Sequence, residues 1–312
     1  MRIVSTVPSA TEIVCALGLL DSLVGVSYGC DYPPEVRGKP AVVESTLPRG
    51  LGSREIHELV SKAKREGRSY FRIRYDLISE LNPDLLIFQG VCDVCGVHPS
   101  IVNPSFLHTH KLFKTLTLGG GDIRGVMDDI VKVGKATERV YEAKGLTEKI
   151  AGRIDEVREA AERNSRGGRR APKVLFLEWL DPPITAGHWV PEMIKIAGGL
   201  PVLAEEGQPS KVIEWRSILD ADPDCIILGP CGFHVVDTLR ELESITPTEG
   251  WRGIKAVKEG QVYVVESSHY FSRPGPRVVH GVEMLSDILW GTSFFSDSIN
   301  RETVALADPW VR

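Results

Sequence analysis

The sequence predicts an α/β protein of two lobes, each built on a parallel sheet, with a long helix between them. Three observations carry this expectation. Strand-like apolar runs alternate with helical runs in both halves, the pattern of parallel sheets with crossover helices. One unit occurs twice. LISELNPDLLIFQG and SILDADPDCIILGP both read helix, Pro-Asp turn and buried strand, and Ile78, Pro83-Asp84 and Ile87 fall on Ile218, Pro223-Asp224 and Ile227. Between the copies lies Lys135–Asn164, free of proline and dense in good helix formers. Its apolar residues Val140, Leu146, Ile150, Ile154, Val157 and Ala161 are mostly three or four apart, one face of a helix. Arg153–Glu156 and Glu159–Arg163 are opposite charges within helical reach. At 1.5 Å per residue the helix would be about 40 Å long, more than one small domain needs. Such a helix can lie on the surface of one domain; the duplicated unit on either side favours a strut. The expected organisation is a lobe over 1–122, a helical region with the joining helix over 123–168, and a lobe over 169–312. A disordered run, SRGGRRAP, is expected after the helix.

In chain order, RIVSTV is a strand, PSATE a loop with Ser9 or Thr11 as helix N-cap, and EIVCALGLL a helix. LVGVS is a second strand and YGCDYPPEVRGKP a proline-rich loop. A weak helix precedes the first Pro-Asp unit, KLFKTLTLG is a strand, and DIRGVMDDIVKVGKA opens the helical region. Past the strut, KVLFLEWL is a strand, VPEMIKIAGG a helix with a glycine stop, QVYVVES a strand and RVVHGVEMLSDILW a last helix. The tail from Gly291 has no assignment.

A length of 312 residues suffices for two domains, and 42% apolar with 25% charged residues is ordinary for a soluble globular chain. The net charge is −5 and the only basic run is Arg166–Arg170, so there is no nucleic-acid footprint. No window approaches 18 apolar residues, so no membrane span is expected. Ser5, Thr6, Pro8 and Ser9 interrupt the first apolar run, unlike a secretory signal. The expectation is a cytoplasmic protein as written, or an extracytoplasmic one if a signal was removed, and a monomer. Six cysteines are too few and too spread for a disulfide scaffold. Cys15 and Cys225, in apolar runs, are expected in the core.

Ligands of parallel sheets bind at loops leaving the carboxyl ends of strands. Here those loops are PSATE, YGCDYPPE, QGVCDVCGV, EWLDPPITAGHW, GPCGF and SSHYFSRPGPR. They carry the candidate ligand-binding residues Ser9, Tyr28, Cys30, Tyr32, Gln89, Cys92, Cys95, Glu178, Trp179, His188, Trp189, Cys231, Phe233, His269, Tyr270 and Arg273, expected to face a cleft between the lobes. Cys92, Cys95 and Cys231 are candidate ligands of a soft metal or of the metal in a bound macrocycle. A reversible disulfide and inert packing thiols are the open alternatives. Glu178, Trp179, His188 and Trp189 suit an aromatic-walled polar pocket for a flat ligand such as a corrin, porphyrin or catecholate, or serve as caps and core. Arg273, in a loop stiffened by Pro274 and Pro276, can clamp a carboxylate or phosphate. Arg277 is divided between ligand and helix cap. The chain lacks a GxGxxG after a strand, a P-loop, HExxH and GxSxG. An enzyme is therefore not expected. A cytoplasmic thiol- or metal-dependent enzyme or metal-handling protein is the alternative, with a scaffold third.

PSATE, GVSYGCDYPPEV, the paired Pro-Asp units, CDVCGV, FLEWLDPP, AGHWVPE, PCGF and YFSRPGPR together resemble the class III substrate-binding proteins that deliver cobalamin and ferric siderophores to ABC importers. The resemblance spans about residues 2–290 and is strongest to a signal-less cobalamin-binding branch. It implies two Rossmann-like lobes joined by one rigid helix, a cobalamin or other metal complex as ligand, and an ABC permease as partner. It also places docking glutamates near Cys95 and Arg216 and a ligand-contacting tryptophan near Gln89, positions where this chain has other residue types.

Overall fold

A computed structural model describes residues 1–48, 50–92, 96–104, 106, 113–245, 248–295 and 304–307. The chain forms two compact units. Unit 1 comprises Met1–Leu51, Glu58–Gly120 and Arg124–Lys149; unit 2 comprises Gly52–His57, Gly121–Ile123 and Ile150–Arg312.

In unit 1, β1 (Ile3–Ser5), α1 (Pro8–Ala16), β2 (Leu23–Ser27), β3 (Ala41–Ser45), α2 (Ser53–Arg65), β4 (Phe71–Ile73), α3 (Tyr75–Leu81), β5 (Leu85–Gln89) and β6 (Lys114–Leu118) follow in order; α2 begins in the Gly52–His57 segment of unit 2. Among the described residues the sheet runs β4-β3-β2-β1-β5-β6, parallel except for β4. Helix α1 starts earlier than the Ser9 or Thr11 cap predicts. Pro8 occupies its first turn, where a missing N–H costs nothing, so Ser9 and Thr11 lie inside the helix and are buried.

The Lys135–Asn164 stretch is divided. Helix α4 (Ile123–Ala136) ends there, Glu138 takes φ 61°, and α5 runs Val140–Arg166. Gly134 explains why the turn is tight. A Cβ on it would stand 2.4 Å from the Ala143 Cβ and 2.9 Å from the Arg139 carbonyl oxygen. Residues of α5 through Lys149 belong to unit 1 and those from Ile150 to unit 2. Glu159 and Arg163 pair at 3.7 Å as the spacing predicts, but Arg153 does not take Glu156. Its guanidinium grips Glu283 through Nε at 2.7 Å and Nη2 at 2.6 Å. The stretch expected to be disordered is a described turn: Arg169 N–H donates to the Asn164 carbonyl at 3.2 Å and Arg170 pairs with Asp224 at 2.9 Å.

In unit 2 come β7 (Lys173–Trp179), β8 (Ile184–Thr185), α6 (Val190–Ile196), β9 (Leu200–Pro201), β10 (Lys211–Val212), α7 (Trp215–Ala221), β11 (Cys225–Leu228), α8 (Val235–Ile245), α9 (Lys255–Lys258), β12 (Val262–Val265), α10 (Ser267–Tyr270), α11 (Val278–Trp290) and β13 (Val304–Leu306). The sheet path is β10-β8-β7-β11-β12-β13, with β9 also on β7. Strands β7, β11 and β12 are mutually parallel; the unassigned tail supplies β13, antiparallel to β12. Central strand β11 is buried throughout, which is why it reads as a continuous apolar run. Cys225 is in this core, whereas Cys15 is only partly buried. Burial nonetheless pushes both thiols up to about 12.

The repeated unit is a structural repeat. Ile78 and Ile218 are 1% and 0% exposed. Asn82 and Asp222 close their helices at φ 41° and 42°, left-handed positions that Asn and Asp tolerate. The Asp84 carboxylate accepts from Arg2 N–H at 2.6 Å while its own N–H donates back to the Arg2 carbonyl at 2.8 Å. Asp224 does the same with Lys173, at 2.7 and 2.9 Å. Each Pro-Asp turn thus locks its strand beside the first strand of its own sheet.

Candidate functional site

The parallel strands β7, β11 and β12 are neighbours, so their carboxyl ends bring three loops to one edge of the unit 2 sheet. The first carries Trp179 and, beyond β8, His188 and Trp189. The second carries Cys231, Phe233 and His234. The third is Glu266 with α10. Backbone bonds tie the first two loops: Gly229 N–H donates to the Leu177 carbonyl and Cys231 N–H to the Glu178 carbonyl, both at 2.9 Å. The rings of Trp179 and Phe233 then meet edge to face at 5.4 Å, a favourable aromatic geometry. Trp179 Nε1 donates to the Ser53 carbonyl at 3.1 Å, which satisfies its polar end and orients the ring.

His188 takes φ 55° and is held on both sides of its peptide: its N–H donates to the Gln208 carbonyl at 2.7 Å, and its carbonyl accepts from Gly207 at 2.9 Å. Its ring stacks on Trp189 at 5.7 Å and 26°. Partial burial pushes the imidazole pKa down, favouring the neutral ring. Trp189 is buried, and its Nε1 donates to the Phe271 carbonyl at 2.8 Å. That bond joins the start of α6 to the segment after α10. The Glu178 carboxylate is 3.3 Å from Gly187 N–H, which steadies the loop leading into His188.

In the last loop, His269 and Tyr270 are half-buried, and Tyr270 contacts His269, His280 and Phe295 at 5.8, 6.1 and 5.4 Å. Arg277 is buried, with its guanidinium 5.6 Å from the Tyr270 ring, a cation–π contact within the protein. Arg273 is half-buried. Helix α11 comes close beneath this loop at Gly281, where a Cβ would lie 2.7 Å from the Tyr270 carbonyl oxygen.

Of the unit 1 candidates, Tyr28 and Tyr32 are exposed and Ser9 is buried. Cys30 is buried with its sulfur 3.0 Å from Thr11 Oγ1, which donates to Ser5 Oγ at 2.9 Å. Gln89 is also buried; its Oε1 accepts from Val91 and Cys92 N–H, both at 3.0 Å, and so shapes the loop after β5. Cys92 is partly exposed, and Cys95 lies outside the described residues. The group of metal-competent donors brought together among the described residues is His234, Glu266 and His269, whose ligand atoms lie within 4.8 Å of one another. Sequence reasoning found only His269. The others occupy legible positions, His234 after GPCGF and Glu266 directly after β12, but only strand order makes the two loops neighbours.

The two-unit α/β architecture and strand-end loops define a binding-protein fold, and the sequence agrees. Residues 3–268 match the family model of the periplasmic binding proteins, and the chain belongs to that family. It is 25% identical over 303 residues to YvrC, an ABC transporter substrate-binding lipoprotein of Bacillus subtilis (strain 168), covering 94% of this chain and 81% of that one. It is 23% identical over 295 residues to a vitamin B12-binding protein of Vibrio cholerae, covering 92% and 88%. In fold it is similar to Staphylococcus aureus IsdE complexed with heme, with a TM-score of 0.69 at 18% identity over 93% of this chain and 98% of that one. No described helix is long and apolar enough to cross a membrane.

Proposed function

We propose that this protein is the substrate-binding component of an ABC importer and takes a flat, metal-bearing macrocycle of the corrinoid or haem kind. The observation that carries the reading is the aromatic pair at the loop edge of unit 2, where Trp179 meets Phe233 edge to face and is held by its indole hydrogen bond and by the backbone bonds between the two loops. Fixed aromatic faces favour planar ligands because stacking needs no reordering of the protein. The vitamin B12-binding relative and the heme-bound structure support the ligand class. A permease partner belongs to this reading. At the position where a docking glutamate is expected, Arg216 is exposed and bonded to Asp220 at 3.0 Å, so docking uses other side chains.

The test is absorbance titration of the purified chain with hydroxocobalamin and, separately, haemin. Saturable binding of one of them is expected, weakened about tenfold in Trp179→Ala, the loss of roughly one stacking contact. Absence of saturable binding to both, with the fold intact by circular dichroism, overturns the reading.

A further inference from the structure

Beside the aromatic pair, the ends of β11 and β12 hold a different chemistry. His234 stands just before α8, Glu266 just after β12, and His269 in α10. Glu266 is 4% exposed. The His234 side chain is 53% exposed and His269 is half-buried, so two imidazoles stand at the mouth and a carboxylate at the base. Ser268 Oγ donates to Glu266 Oε1, and His234 Nδ1 lies 3.0 Å from Oε2. The two imidazole rings meet edge to face at 5.7 Å and 73°.

We propose that His234, Glu266 and His269 form a binding site for a bare divalent transition-metal ion, Zn²⁺ above all, with its fourth position open to solvent. Glu266 is a buried carboxylate with one oxygen on Ser268 and the other facing His234, and a cation shared with that imidazole would offset the cost of burying its charge. Two imidazole nitrogens and one carboxylate oxygen are a donor set that Zn²⁺ accepts, and three protein ligands leave an open position. With metal–ligand bonds of about 2.0–2.1 Å, a tetrahedral site needs donors about 3.4 Å apart. The donors already lie within 4.8 Å of one another, and His234 Nδ1 stands 3.0 Å from the Glu266 carboxylate. Ser268 does what outer-shell partners do, fixing which carboxylate oxygen faces the ion.

The geometry selects a bare ion over the metal of a macrocycle. A ring-bound metal has its equatorial positions filled and presents one axial position to a protein face. Three convergent donors require three open positions on one side. This site is therefore separate in chemistry from the macrocycle reading and stands without it.

The experiment uses the full chain freed of metal by a chelator. Zn²⁺ is titrated by calorimetry, and Co²⁺ by its visible d–d absorption. One ion per chain is expected, with the intense absorption of a tetrahedral Co²⁺ centre. His234→Ala and His269→Ala should each weaken binding by more than the loss from Ser268→Ala, itself about 10- to 100-fold. Glu266→Gln alters a buried group and is judged only beside its melting curve; the half-exposed His234→Ala carries the test. Substoichiometric Zn²⁺ in the wild type, or wild-type affinity in both histidine variants, overturns the proposal and leaves a histidine–carboxylate hydrogen bond. Hydroxocobalamin and haemin titrations of His234→Ala separate the two readings: loss of Zn²⁺ with macrocycle binding retained touches this site alone.

Discussion

Removing Arg153 from the centre of α5 should destabilise the protein far more than removing any other charge on that helix. Its guanidinium makes two parallel hydrogen bonds, at 2.7 and 2.6 Å, to the Glu283 carboxylate on α11. The side chain of Glu283 is 6% exposed and that of Arg153 30%. Arg153→Ala leaves a buried carboxylate without its bidentate partner. Breaking a fully buried pair costs about 3–5 kcal/mol. Water reaches the Arg153 side, so the expected cost is about 2–3 kcal/mol, against about 0.5 kcal/mol or less for the exposed Arg163–Glu159 pair. The assay is urea denaturation at pH 7 followed by tryptophan fluorescence and circular dichroism. A double variant, Arg153→Met with Glu283→Gln, should recover at least half of the loss, because it removes both the unpaired charge and its desolvation. If Arg153→Ala costs less than about 0.5 kcal/mol, the bidentate pair contributes nothing and the reasoning fails.

Asp224 sets an acid limit. Burial alone would raise its carboxyl, but hydrogen bonds from Lys255, the Lys173 N–H and Arg170 outweigh that and hold it at about 2 against an ordinary 3.8. Because the folded value is the lower one, its contribution is complete above about pH 4 and is lost as pH falls from 3.8 towards 2. The heads of Arg170 and Lys255 are 72% and 46% exposed, so screening trims the contribution to about 1 kcal/mol. Melting curves of wild type and Asp224→Asn should converge over that window, and a gap that stays constant down to pH 2 would refute the assignment. Gly281→Ala should destabilise by about 1–2 kcal/mol despite the better helix propensity of alanine, because its Cβ would press on the Tyr270 carbonyl oxygen, which is backbone and gives little. A thermal shift upward in that variant would show that α10 moves freely over α11.

Much of the fold was legible because it is written locally. The Pro-Asp units, the uninterrupted apolar strands and the Val190 and Val278 helices follow from residue pattern within short windows, and each is found where the pattern puts it. Strands β3, β4, β8, β10 and β13, at or next to the sheet edges, were not legible. They are short or half-exposed, so no burial pattern marks them, and pairing partners define them instead. The break at Glu138 was missed for a related reason: the stretch has no proline and is rich in helix formers, so no local signal stops it there, and the turn is set by the contact that Gly134 permits with α5. Arg153 likewise abandons a neighbour three residues away for Glu283, 130 residues on, because a buried carboxylate competes better than an exposed one.

The sequence by itself determined the α/β class, the internal duplication, the core strands and the loops that carry unusual residues. All of these depend on interactions between residues close in the chain or on periodic burial. Tertiary structure alone decided which loops are neighbours. The order β7-β11-β12 sets Trp179 against Phe233 and brings His234 to Glu266 and His269. Strand order is chosen by long-range pairing and packing of whole sheets, and no local spacing encodes it, so a donor set assembled from two separate loops becomes visible only once the sheet has formed.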